Sequence, residues 1–125
     1  MATSNVERRR IEDTHGRLVE EADYVGGMLH GKRILWSPSG VKIGEADYEH
    51  GKLHGQSRLW SESGQLTQDA HYAHGELHGP YSTWWDNGNL KEQGRFERGS
   101  RVGTYRWFGP GGSLQSEHSY PDSSP

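Results

Sequence analysis

Apolar and polar residues alternate along most of this chain, in runs of about six to nine residues broken by glycine-bearing segments. Alternation of this kind predicts strands with one face richer in rings and the other polar. No run keeps a helical period, and Gly44 and Pro80 sit where a helix would suffer. The breaks are of two kinds and they alternate. One is a Gly-x-x-x-Gly pair, as at Gly51 and Gly55, read as enclosing a tight loop (51–55) in which glycine supplies positive φ. The other is Ser-Pro-Ser-Gly, Ser-Glu-Ser-Gly, Trp-Asp-Asn-Gly or Gly-Pro-Gly-Gly, all turn chemistry.

The breaks recur with a period of 24: Gly16, Gly40, Gly64, Gly88 and Gly112 open successive units. Tyr24, Tyr48, Tyr72, Phe96 and Tyr120 follow at one position, and Trp36, Trp60, Trp84 and Phe108 at another. Units therefore span 16–39, 40–63, 64–87 and a worn 88–111, with a partial unit at 112–120. Residues 1–15 read as a tail and a degenerate half-repeat, since 13–16 aligns with the later turns. Within them Glu7 to Asp13 has little periodicity and fits a short strand or a helical turn; the strand is preferred, with Arg8, Arg9 and Arg10 then guarding an edge. Residues 121–125 read as a disordered tail. The expected fold is all-β: a single-layer antiparallel meander of tandem hairpin repeats, elongated and twisted, with about nine or ten strands over roughly 45 Å.

If each hairpin is symmetric about its Gly-x-x-x-Gly loop, each Trp lies across from Ala22, Ala46, Ala70 or Gly94. The Tyr and Trp ladders then share one face with Leu18, Leu66, Leu90 and Leu114. Glu21, Glu45, Asp69, Asp23, Asp47, His71 and Arg95 take the other face, with Leu35, Leu59 and Trp107 scattered among them. Trp85 breaks the pattern. Adjacent to Trp84, it is expected on the polar face, where other units carry Ser37, Ser61 or Gly109. Joined there by Tyr81 and Trp107, and by Arg95 and Arg106 of the basic fourth unit, it makes the candidate partner-binding cluster.

Composition narrows the function. Only 30% of the 125 residues are apolar, yet five Trp, six Tyr and two Phe are spaced too regularly for a disordered chain. A net charge of −3 argues against a nucleic-acid binder. Charge is nonetheless uneven: residues 64–87 carry Asp69, Glu76 and Asp86 without a Lys or Arg, while 88–111 carry Lys91, Arg95, Arg98, Arg101 and Arg106. With no Cys, disulfides and thiol catalysis are excluded. No apolar run reaches membrane-span length, and Met1 to Asp13 lacks the apolar segment of a secretory signal, which points to a cytoplasmic location.

Two recurring sets of polar residues invite a chemical reading. His30, His54 and His78 repeat at one position, with His50 and His74 nearby. Equivalent residues of successive hairpins lie roughly 10 Å apart, too far for one ion, so the expected role is structural and no metal site is assigned. Glu21, Glu45, Asp69 and Glu117 recur in the same way and read as a solvated or turn-bonding series. No nucleophile motif is present. The expectation is a non-enzymatic protein without cofactors.

The pattern G-x-L-x-x-E-x-x-Y-x-x-G-x-L-x-G-x-x-x-x-W, carried by Gly16, Leu18, Glu21, Tyr24, Gly27, Leu29, Gly31 and Trp36, resembles the MORN-repeat-variant class, especially the bacterial YwqK-type antitoxin family. Gly64, Leu66, Tyr72, Gly75, Leu77, Gly79 and Trp84 match it with Asp69 for Glu. Lys42 departs from it, as do Gln93, Phe96, Arg101 and Phe108. The resemblance implies antiparallel hairpins in an extended sheet, protein–protein binding and, in the named subgroup, neutralisation of a toxin. Its rivals are a membrane-surface or phosphoinositide-binding repeat and a homo-oligomeric module joined by edge strands or by the aromatic face.

Overall fold

The computed structural model describes residues 5–122. They form eleven strands in one antiparallel sheet: β1 Glu7–Glu12, β2 Leu18–Val25, β3 Met28–Trp36, β4 Lys42–Glu49, β5 Lys52–Trp60, β6 Leu66–Ala73, β7 Glu76–Leu77, β8 Gly79–Trp84, β9 Leu90–Glu97, β10 Ser100–Phe108 and β11 Leu114–Tyr120. Each strand pairs with its sequence neighbour, so the sheet is an all-β meander, as expected. β7 and β8 are one arm interrupted at His78, whose amide donates to the His71 carbonyl at 2.8 Å. Of the expected tails within 1–15 and at 121–125, residues 1–4 and 123–125 lie outside the described residues.

The tight turns are shorter than the Gly-x-x-x-Gly reading. Glu49 pairs with Lys52 across the two residues His50 and Gly51, and Val25 with Met28 across Gly26 and Gly27. His50 has φ 51° and Gly51 82°; His74-Gly75 and Arg98-Gly99 match them. Two positive φ values in a two-residue loop are the mark of a type I′ hairpin turn, whose twist suits the flanking strands. The second glycine of each pair lies within a strand. Ala22 pairs with Arg33, but Tyr24 pairs with Leu29, so β3 carries two extra residues opposite Asp23. Gly31 and Gly55, at φ 116° and 114°, sit in these bulges, where a Cβ would press on Asp23 or Asp47 at 3.1 Å.

The bulges reset the pairing. Because the extra residues lie on the return strand only, the hairpin is not symmetric, and the Trp residues do not face the alanines. Ala46 pairs with Arg33 and Ser57, Ala70 with Ser57, and Gly94 with Tyr81. Trp36, Trp60 and Trp84 pair across the corner turn with Lys42, Leu66 and Leu90. One face thus carries Ala22, Ala46, Ala70 and Gly94 together with Tyr24, Tyr48, Tyr72, Phe96 and Tyr120. Leu35, Leu59 and Trp107, expected opposite, belong to this alanine face through their partners Gly44, Gln68 and Glu92. The other face is ionic: Arg8 reaches Asp23 at 2.8 Å, Arg10 reaches Glu21 at 2.7 Å and Lys32 reaches Asp47 at 3.1 Å.

Candidate functional site

The alanine face changes character along the sheet. In the first hairpin Arg33 bridges to Glu20 at 3.1 and 3.2 Å and to the Tyr48 hydroxyl at 3.4 Å. The bonds to Glu20 hold its guanidinium above its ordinary pKa. The third and fourth hairpins place a tyrosine at the Arg33 position. Tyr81 donates to Gln68 at 3.4 Å, and Tyr105 donates to Glu92 at 3.2 Å. In the second hairpin the two positions are Gly44 and Ser57. With the bridge missing, a hollow of about 140 Å³ opens between Leu35, Tyr48, Leu53 and Leu59.

Tyr105 is the hub of the fourth unit. It is 0% exposed and the largest fully buried side chain among the described residues. Its ring meets Phe96 edge-on at 5.9 Å, Tyr120 at 6.3 Å and Trp107 at 4.7 Å, and Tyr81 extends the chain through Phe96 at 5.2 Å. The Arg101 guanidinium lies over the Tyr105 ring at 4.7 Å. Burial pushes the Tyr105 phenol up to about 12, and burial also raises Tyr81. Gly94 makes this packing feasible, since a Cβ there would stand 2.1 Å from a Tyr105 ring carbon.

Beside this cluster runs an open groove of about 500 Å³, lined by Leu59, Gln68, Tyr81, Thr83, Trp84 and Trp85 and closed on one side by Lys91 and Glu92. Lys91 caps the Trp85 ring at 4.6 Å, and Thr83 donates to Glu92 at 3.1 Å. Trp85 is not on the polar face. It opens the corner turn, accepting from Gly88 and donating its amide to Asn89, so strand alternation with Trp84 does not apply. Its indole N–H donates to the Phe108 carbonyl at 3.2 Å and ties the third unit to the fourth.

The expected cluster is therefore divided. Tyr81 and Trp107 are joined through Phe96 and Tyr105, and Trp85 shares the groove with Tyr81. Arg95 and Arg106 lie on the ionic face, Arg95 opposite Pro80 and Val102, and Arg106 bonded to Glu117 at 2.7 Å. Tyr105 went unremarked in the sequence. The departure from Ala to Gly at residue 94 was its one visible signal.

The histidines hold turns. The Nδ1 atoms of His30, His54 and His78 accept from the backbone amides of His50, His74 and Arg98 at 3.2, 3.2 and 3.3 Å. The neighbouring carbonyls of Leu29, Leu53 and Leu77 accept from Gly51, Gly75 and Gly99 at 2.8 Å. Each hairpin thus satisfies both turn amides of the next. Among the described residues, no three His, Asp or Glu side chains are placed to hold a metal ion.

No curated protein matches the chain. A family profile described as the MORN repeat variant matches residues 53–74, 77–98 and 101–120, each match running from a return arm through the corner turn into the next strand. On that match the chain belongs to the MORN repeat variant family.

Proposed function

We propose that this protein is a non-enzymatic repeat scaffold that binds another protein on the alanine face, with the groove beside Trp84 and Trp85 as its anchor point. The observation that carries the reading is the concentration of rings and unsymmetrical polar groups there. Tyr81, Trp84 and Trp85 meet Gln68, Lys91 and Glu92 in one open depression. Tyr and Trp dominate the energy of protein interfaces because they bring large rigid area with a polar end. The remainder of the face supplies flat area between alanines, suited to a broad contact. Leu59, 39% exposed at the groove, adds an apolar anchor.

The narrower form of the proposal is that the partner is a toxin, neutralised by occlusion in the cytoplasm. Its support is the likeness of the repeat pattern to an antitoxin family. Co-expression with the product of a neighbouring gene should rescue growth. Leu59→Glu and Lys91→Glu should abolish the rescue while leaving the melting temperature unchanged. Retention of rescue in both variants would place the contact elsewhere, and a neighbour that is harmless when expressed alone would remove the toxin reading. Binding of the intact protein to anionic lipid vesicles would favour the membrane-surface rival.

A further inference from the structure

The outermost strands of the sheet are complementary halves of one repeat. β1 occupies the place of a return arm: Arg9 pairs with Ala22 as Arg33 pairs with Ala46. β11 occupies the place of a leading arm: Tyr105 pairs with His118 as Ser57 pairs with Ala70. Among the described residues no strand precedes β1 at one end of the sheet and none follows β11 at the other. Pro121, next after Tyr120, has no amide for the pair that flanks the tight turn in the other units.

We propose that β1 of a second copy completes the repeat that β11 begins, joining copies head to tail. β1 runs in the direction of β3, and β11 in the direction of β2, so a second copy with its alanine face on the same side meets β11 in antiparallel sense. The register within the first hairpin, where Glu20 pairs with Leu35, Glu21 with Ile34 and Ala22 with Arg33, transfers directly. It sets Ser116 against Ile11 of the second copy, Glu117 against Arg10 and His118 against Arg9.

Two features of the surface fit this occupant. Ile11 is 49% exposed, Leu114 51% and Val6 61%, so three of the five exposed large apolar residues lie on or beside the two outer strands. Of their apolar counterparts inside the array, Leu35 and Leu66 are less exposed, while Leu59 is 39% exposed with a strand on either side. Charge is also matched. β1 presents Arg8, Arg9 and Arg10, whereas β11 presents Glu117, which would lie between Arg106 of its own chain and Arg10 of the next, as Asp69 lies between Arg58 and Ser82. Pairing β11 with itself about Glu117 would instead oppose like charges. Arg8 and Arg10 are bonded to Asp23 and Glu21, so their charged ends are held over their own sheet and do not bar the approach.

A contact made by one strand edge is small, so the association is reversible and concentration-dependent. Because the surfaces are unlike, it leaves each end open to a further copy. The absence of Cys gives a direct test with the full chain. Ser116→Cys and Ile11→Cys alter exposed residues, and matching melting curves would show that each variant is folded. Mixed under oxidising conditions, the two should give disulfide-linked dimer about tenfold above either variant alone, the excess that a preference of about 1.4 kcal/mol for the matched pair produces. The double variant should give a ladder of multimers. Self-linkage of either single variant at the same yield, equal linkage when Glu7→Cys replaces Ile11→Cys, or sedimentation of the unmodified protein as a monomer at every concentration would each overturn the proposal.

Discussion

At the position where the fourth unit holds Tyr105 the second holds Ser57, and the consequences spread through both hairpins. In the second, no side chain bridges the alanine face, Gly44 leaves a hollow, and Leu59 stays exposed. In the fourth, Tyr105 draws Phe96, Trp107 and Tyr120 around it, and the backbone gives way to a glycine at residue 94 to admit its ring. The second unit is the more regular copy in its loop and return arm, yet it buries less. Residues that keep the 24-residue period build turns and bulges, which every unit needs. Residues that depart from it decide what each unit covers.

The contrast is sharpest under truncation. Tyr105→Ala should lower stability by about 3–5 kcal/mol, since it removes a fully buried ring and its neighbours cannot collapse fully. Ser57→Ala should change stability by less than about 0.5 kcal/mol. Denaturant melts of both variants measure the gap, and equal losses would mean that the fourth unit is no better packed than the second.

Alkali should attack the fourth unit first. The fold holds the Tyr105 phenol at about 12 against an ordinary value of 10.0, so it favours the neutral form. That contribution is complete below about pH 10 and is lost as pH rises through about 12, a difference of about 2–3 kcal/mol. The steepness of the alkaline melt should fall in Tyr105→Phe, with phenolate absorbance reporting the titration.

Gly94→Ala comes next, at about 1–3 kcal/mol, because the new Cβ overlaps a ring that has nowhere to go. Gly44→Ala should be close to neutral. Its Cβ would meet Leu35 Cδ1 at 3.3 Å, with Leu35 Cβ and Leu59 Cδ2 at 3.5 Å, and a small shift of the Leu35 end relieves the one tight contact. The smallest effect should come from the shared framework. His54→Ala removes one acceptor from the His74 amide and should cost about 1 kcal/mol, read as faster hydrogen exchange at that amide. The same change at His30 should match it, since the latch does not depend on what the face carries.

Much of the architecture was legible because turns demand particular residues. The strand runs and the corner turns follow from spacing, whereas the residues of β1 show little periodicity and only the alignment of 13–16 with the later turns favours a strand there. The faces did not follow, and Gly31 and Gly55 show why. A type I′ turn and a bulge both need positive φ, so both select glycine, and sequence does not distinguish the second glycine of a loop from a bulge inside a strand. With that glycine in the loop the hairpin would be symmetric and Leu59 and Trp107 would face the other side; as a bulge it sets them on the alanine face. Trp85 lies one residue past its strand, in a turn where alternation no longer holds. Its departure from Ser and Gly stands beside the groove that Trp85 lines.

The bonds from His30, His54 and His78 to the following turns also have a sense of time. Each turn finds its two acceptors in the hairpin that left the ribosome just before it, so a nascent array can be templated unit by unit in the order of synthesis. The fourth unit emerges after the third. Its aromatic cluster closes only when Tyr120 arrives, and packing there seals an assembly that the histidines have already aligned.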